Sequence, residues 1–394
     1  MLCCVDSGDS LGNLKDTSIE NIRKGEKFTY IREAFLEGKK LDRCKTCWDS
    51  EKAGYKSYRQ SCNEHYKDYP ELNREFRANE PLPILYLDFR PSNLCNLACK
   101  ICNPDYSTKL IDPFHKIGFI SDKSKNNYTK LNLNKISIKS IINHLDQVDQ
   151  IYFAGGEPII SEDHWTLLDY LVENKKFNIR LRYNTNLTNL SFKDKNLVDY
   201  WKHFESVQVL ASLDGYEKGF THTRTGGDWN KILENLEELK KLSNIDIFCD
   251  STVGWLNLKS TLRLHRYLIG KEYVMQDDPS VNKLIAKPVY EPVGASLYNT
   301  HPSLKEELID AIEEQKIWSL QMFPKRAKLD LPNLDSLIYI VENSEFNEQE
   351  FINWMRINVE LDNRYNLYTP DAFKFNTEFQ EFFKFEYDKI AKSI

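Results

Sequence analysis

Apolar positions along the chain recur with two alternating periods. At Ile138, Ile141, Ile142 and Leu145 the spacing is three or four residues. The same spacing returns at Trp165, Leu168, Leu171 and Val172, and again at Trp229, Ile232, Leu233, Leu236 and Leu239. This is the period of an amphipathic helix, and the stripes are read as core. Between them lie short apolar runs: Ile84 to Arg90 (ILYLDFR), Gln150 to Ala154 (QIYFA), Asn178 to Tyr183 (NIRLRY), Ser206 to Ala211 (SVQVLA) and Ile245 to Thr252 (IDIFCDST). These read as strands. Strands that alternate with helices predict an α/β fold with a parallel sheet and right-handed crossovers.

The chain divides into three parts. Residues 1–80 are cysteine-rich, residues 81–295 hold the alternating pattern, and residues 296–394 are helical and aromatic. The last part includes HPSLKEELIDAIEEQK and NEQEFINWMRINVELDNRYN, which can close an open side of the sheet. Asn103 to Lys135 is a long polar insertion containing SDKSKNNYTKLNLNK, and it reads as a loop. A long loop beside a reactive site often contacts substrate.

Cys95, Cys99 and Cys102 follow the first strand with the spacing C-x-x-x-C-x-x-C. Three clustered thiolates suit an iron–sulfur cube and leave one iron without a protein ligand. No Cys or His between Cys102 and His115 supplies a fourth. Two-cluster ferredoxins use a different spacing, and structural zinc usually takes four ligands in paired knuckles. A zinc site completed from afar, or simply buried thiols, stays open on spacing alone.

After the second strand come Gly155, Gly156, Glu157 and Pro158. Glycines let the backbone turn sharply and approach a ligand, and a carboxylate there can accept from an ammonium group. Asn184, Thr185 and Asn186 end the third strand, and Ser212, Leu213, Asp214 and Gly215 end the fourth. Asn side chains can bond ribose hydroxyls or a carboxylate. Each group follows a strand, as ligand groups on a parallel barrel do.

The cysteine loop, with Asn96 just after its first Cys, and the GGEP segment resemble the radical S-adenosylmethionine (SAM) family. The resemblance covers roughly residues 1 to 260. It implies a partial (β/α)6 barrel in which Cys95, Cys99 and Cys102 hold a [4Fe–4S] cluster and SAM caps the open iron. Glu157, with Gly155, Gly156 and Pro158, is then expected at the SAM amino group. Asn184, Asn186, Ser212 and Asp214 are expected at the carboxylate or ribose, Arg224 at a carboxylate, and Val253 at the adenine. The implied activity is reductive cleavage of SAM to methionine and a 5′-deoxyadenosyl radical that abstracts hydrogen from substrate.

The N-terminal part resembles a twitch-type auxiliary cluster module, a relative of the SPASM domain. The implied ligands are Cys3, Cys4, Cys44 and Cys47, the last two in CKTCW. Such modules usually follow the barrel, and their pattern expects a further Cys upstream of the CC pair. Zinc in those four thiolates is the alternative. Cys62 is a candidate stand-in ligand, and Cys249 reads as an inert thiol inside a strand. Twitch-like modules imply a peptide or protein substrate, with flavodoxin or ferredoxin as electron donor. Two readings compete with this one: a degenerate family member that binds SAM or a cluster without radical catalysis, and a structural zinc protein.

Composition narrows the rest. Lys and Arg number 53 against 59 Asp and Glu, a net charge of −6, so there is no electrostatic footprint for nucleic acid. Nine cysteines without a signal peptide point to metal ligation in a reducing cytoplasm. No run approaches the roughly eighteen apolar residues needed to span a bilayer, so no membrane partner is expected.

Overall fold

The computed structural model describes the chain except residues 1–5, 7, 53–55, 70–74, 76, 129–134, 275–281, 326 and 369–372. Among the described residues six strands form the main sheet: β1 (Tyr86–Phe89), β2 (Gln150–Phe153), β3 (Arg180–Thr185), β4 (Val207–Ala211), β5 (Ile245–Val253) and β6 (Leu284–Pro288). They pair in chain order, every neighbour parallel. Helices Lys135–Ile142, Glu162–Glu173, Leu197–Trp201, Trp229–Leu239 and Leu258–Gly270 supply the crossovers. The fold is α/β, a six-stranded partial barrel with a helical C-terminal region.

The strands alternate because one face is covered and the other is not. Phe89, Ile151, Phe153, Leu181, Tyr183, Val207, Val209 and Cys249 are buried beneath Trp165, Leu168, Leu171, Ile232 and Leu236 of the crossover helices. On the opposite face, Asp88, Tyr152, Arg182, Gln208 and Asp246 share one register row, and all are partly exposed. That polar face lines the lumen.

The sixth strand that the resemblance implies is Leu284–Pro288, which no apolar run marks. Its buried side is only Leu284 and Ala286, and Lys287 points to the open face, so its signal is weak. One expectation needs correction: the polar insertion is not a plain loop. It forms helices Ile111–Lys116 and Asp122–Tyr128, because Leu110, Phe114 and Ile117 bury against Ile357 and Leu361 of a C-terminal helix.

Helices Lys305–Met322, Ala327–Glu342, Glu348–Tyr365 and Thr377–Ala391 build a second core. It grows from Trp255, just past β5, whose ring lies 5.2 Å from Trp354 and 5.3 Å from Phe379. The N-terminal helices meet the opposite, N-terminal edge of the sheet. Tyr66 donates to Asp149 at 3.2 Å, and Asp149 precedes β2. The Ile19 amide donates to Ser140 Oγ at 3.1 Å.

Candidate active site

Past β1 the chain turns into the loop of Cys95, Cys99 and Cys102, whose thiols gather around the buried Leu97. The loop is held on two sides by backbone bonds. On one, Ala98 donates to Thr225 O at 2.9 Å and Lys100 to Thr223 O at 2.8 Å. On the other, Gly156 donates to Ser92 O at 3.0 Å and Glu157 to Leu94 O at 2.7 Å. This passage explains both glycines. A Cβ on Gly156 would stand 2.2 Å from Leu94 O, and Gly155 has φ +118 with its Cβ position 2.7 Å from Ser92 O.

Glu157 is 2% exposed. Its carboxylate accepts from Thr185 Oγ1 at 2.8 Å, the Asn186 amide at 2.7 Å and the Ile159 amide at 3.4 Å. Burial pushes its carboxyl up to about 7, against the pull of those hydrogen bonds. Pro158 is buried and opens the short 3-10 turn Pro158–Ile160.

Asn186 is tied into the cysteine loop. Its Nδ2 donates to Asn96 Oδ1 at 2.8 Å and reaches Cys95 Sγ at 3.9 Å, while its Oδ1 accepts from Thr188 Oγ1 at 2.6 Å. Asn184 differs: its Oδ1 is buried with no hydrogen-bond partner among the described residues. An orphaned acceptor of this kind costs about 1–3 kcal/mol, which a donor on a bound molecule relieves. Ser212 is partly open at the end of β4, its amide on Thr185 O at 2.8 Å.

Arg224 and Asp214 form a buried pair, with Nε and Nη2 each 2.7 Å from Oδ2. Asp214 also accepts from the Thr252 amide at 2.7 Å, so the pair ties β4 to β5. Burial pushes the thiols of Cys95, Cys99 and Cys102 up, and the Arg224 charge pulls all three down. A guanidinium beside three thiols favours thiolates, the form that ligates metal. Val253 is fully buried in the second core with Trp255 and Leu258.

Several contributors carry no sequence signal of their own. Thr223 and Thr225 hold the loop through carbonyls, which no side-chain pattern reports. In the lumen, the Tyr152 ring has Arg90 at 5.5 Å and Arg182 at 5.8 Å. Arg90 bonds Asp88 at 2.8 Å, and Lys287 bonds Asp250 at 2.7 Å. Only the polar half of the strand alternation could have found these residues. Tyr365, from a C-terminal helix, lies close enough to Cys95 and Cys99 to feel their charge.

At the other edge, Cys47 is buried and Cys44 is half-buried. Arg43, paired with Asp6 at 2.7 Å, and Arg59, paired with Glu51 at 2.9 Å, both act on the Cys44 thiol, which burial pushes up. Cys62 lies on the helix Tyr58–His65. Cys3 and Cys4 lie outside the described residues. Cys249 is fully buried in β5, its sulfur 3.3 Å from Ser251 Oγ.

The parallel partial barrel thus gathers three thiols and a buried carboxylate past its strand ends. Residues 89–259 match the model of the radical SAM superfamily, so the match covers the sheet and its crossovers from the end of β1 to the helix after β5. Streptococcus suis SuiB bound to S-adenosylmethionine is a similar solved structure, at 15% identity and TM-score 0.41, over 77% of this chain and 61% of that one. SuiB bound to the precursor peptide SuiA gives 16% identity and TM-score 0.38 over 76% and 61%. TYW1 with a lysine–pyruvate adduct gives 16% and 0.29 over 61% and 72%. The chain thus spans 61% of the SuiB chain. No curated protein matches it.

Radical SAM domains use a [4Fe–4S] cluster and S-adenosylmethionine, and the donor set here fits both. The three thiols share one enclosure with a buried cation, and Asn184 presents an unmet acceptor. Among the described residues no three His, Cys, Asp or Glu side chains are grouped to hold a single metal ion. A cube instead takes one thiolate on each of three irons. Among the described residues no helix is long and apolar enough to cross a membrane.

Proposed function

We propose that this protein is a radical SAM enzyme whose Cys95, Cys99 and Cys102 hold a [4Fe–4S] cluster. The observation that carries the reading is the enclosure of three thiols around Leu97 with the Arg224 guanidinium acting on all of them. When bound, the cluster and SAM together supply a one-electron cleavage that yields a 5′-deoxyadenosyl radical.

The chain's own residues bind and orient. Glu157 presents a buried carboxylate to the SAM amino group, with the Gly156 carbonyl edge beside it. Asn184 accepts a hydrogen bond from a ribose hydroxyl through its orphaned Oδ1. Ser212 lies at the neighbouring strand end for the carboxylate or ribose. Asn186 and Asp214 act mainly by position: one bonds the Cys95 loop, the other fixes Arg224. The buried apolar wall of Leu97, Ala98 and Leu110 limits water near the reacting atoms.

The lumen supports a polar substrate. Arg90, Tyr152, Arg182 and Asp250 offer both charge signs and an aromatic face, which suits a peptide segment with carboxylate and amide groups. Cys44 and Cys47, with Cys3 and Cys4, are proposed as an auxiliary cluster site in an N-terminal twitch-like module of residues 1–80. The barrel then spans 81–295 and the helical extension 296–394. A flavodoxin or ferredoxin in the cytoplasm is the proposed reductant.

The test is SAM cleavage by anaerobically reconstituted protein with dithionite, beside Cys99→Ala. We expect 5′-deoxyadenosine from wild type and none from the variant. A wild-type protein with a full, reducible cluster and no product would support a degenerate family member, while a colourless protein with stoichiometric zinc would support a structural role.

A further inference from the structure

Lys100 stands between two of the cluster cysteines, yet its side chain turns away from them. Its ammonium bonds Asp362 Oδ1 on the C-terminal helix Glu348–Tyr365, and both side chains are 0% exposed. Asp362 Oδ2 accepts from Tyr387 of the last helix at 2.8 Å. The same helix face meets the loop repeatedly. Trp354 Nε1 donates to the Lys100 carbonyl at 2.8 Å, and Ile357 and Leu361 pack on Ala98. One turn beyond Asp362, Tyr365 feels the charge of Cys95 and Cys99. Residues 354, 357, 361, 362 and 365 follow helical spacing, so one stripe carries every contact.

We infer that Asp362 is a positioning residue for the cluster loop, and that the C-terminal helices form the outer wall of the site through the Lys100–Asp362–Tyr387 chain. This rests on the radical SAM reading above. A buried ion is held in place only while its partner stays, because either charge alone is costly to enclose, whereas an apolar pair of similar volume is tolerated. The pair therefore fixes Lys100 at one point, and with it the backbone between Cys99 and Cys102. The contacts come from more than 250 positions away in the chain (Lys100 and Asp362 are 262 apart), so they report a tertiary lock and not a local turn.

The experiment compares wild type, Asp362→Ala, Tyr387→Phe and the paired Lys100→Met/Asp362→Leu variant. Each is reconstituted anaerobically with iron and sulfide. Iron and sulfide per chain, the electron paramagnetic resonance of the dithionite-reduced protein, and far-ultraviolet circular dichroism are read together. We expect Asp362→Ala to keep its helical dichroism and lose cluster affinity by about tenfold, the scale seen when supports of metal ligands are removed. The paired apolar variant should regain cluster, and Tyr387→Phe should shift the g values of the reduced cluster. Wild-type iron content and g values in both Asp362→Ala and Tyr387→Phe would overturn the inference. If Asp362→Ala does not fold, Tyr387→Phe decides alone by the same readings. Wild-type protein that takes up no iron sinks the underlying reading and this inference with it, whereas equal uptake by all four proteins sinks this inference alone.

Discussion

The amide of Glu157 donates to the carbonyl of Leu94 at 2.7 Å, so the turn after β2 and the loop carrying Cys95 are one unit. Any side chain at Gly156 separates them, since its Cβ would meet Leu94 O at 2.2 Å and the Asn93 carbonyl carbon at 2.6 Å. Gly156→Ala should cost several kcal/mol, about 3 or more, because backbone and not a flexible side chain must yield. Thermal unfolding of the apoprotein checks the stability, and iron uptake checks the loop.

Glu157→Gln removes the negative charge while keeping the shape. The expected outcome is a SAM affinity lower by about tenfold to a hundredfold, the worth of a charge-assisted hydrogen bond. Iron content should not change. Because burial holds the Glu157 carboxyl at about 7, protonation below that pH removes the charge that the proposed site would offer to an ammonium group. Wild-type affinity should therefore weaken between pH 8 and pH 6, and the Gln variant should be flat. Equilibrium dialysis of SAM under anaerobic conditions measures both.

His164 offers a stability test remote from the cysteines. It is fully buried, with Nε2 on Tyr183 Oη at 2.9 Å and Nδ1 unpartnered among the described residues. Burial lowers its titration from 6.5 to about 3. Between those values the unfolded chain binds a proton that the native state does not. Its contribution is thus complete above pH 6.5 and is lost as pH falls towards 3, at no more than about 1.4 kcal/mol per pH unit. Melting temperatures at pH 7.5 and 5.5 should diverge in wild type and converge in His164→Phe, apart from contributions shared by both proteins.

The N-terminal thiols are tested by a double replacement, Cys44→Ser/Cys47→Ser. If they ligate an auxiliary cluster, iron per chain falls to that of one cluster, and 5′-deoxyadenosine formation without substrate persists. Unchanged iron with loss of bound zinc would assign the pair to a structural zinc site instead.

Much of the barrel was legible because its outer face must be apolar. The runs at β1 to β5 and the stripes at Trp165 and Trp229 each record burial on one side. The sixth strand was not, since its covered face is two residues long and its open face carries Lys287. In the site, Cys95, Cys99, Cys102 and Glu157 stood out by spacing and turn chemistry. Asn186 and Asp214 were visible as strand-end polar residues, but their bonds to Cys95 and Arg224 depend on how neighbouring strands align. Val253 was visible as the end of a strand, but the Trp255 core that encloses it is assembled from distant helices. The segment DNRYN gave Asp362 no role, because a buried ion pair 262 positions apart leaves no local pattern.

The tie from Lys100 to Asp362 also sets an order of events during synthesis. A ribosome adding about 5–20 residues per second makes Asp362 roughly 13–50 s after Lys100. Within that interval the nascent chain can complete every strand of the sheet, while Lys100 and Ala98 still lack the helix that covers them. On the proposed reading, a cluster loaded before Asp362 is made would sit in a loop not yet pinned at Lys100, so late loading is favoured.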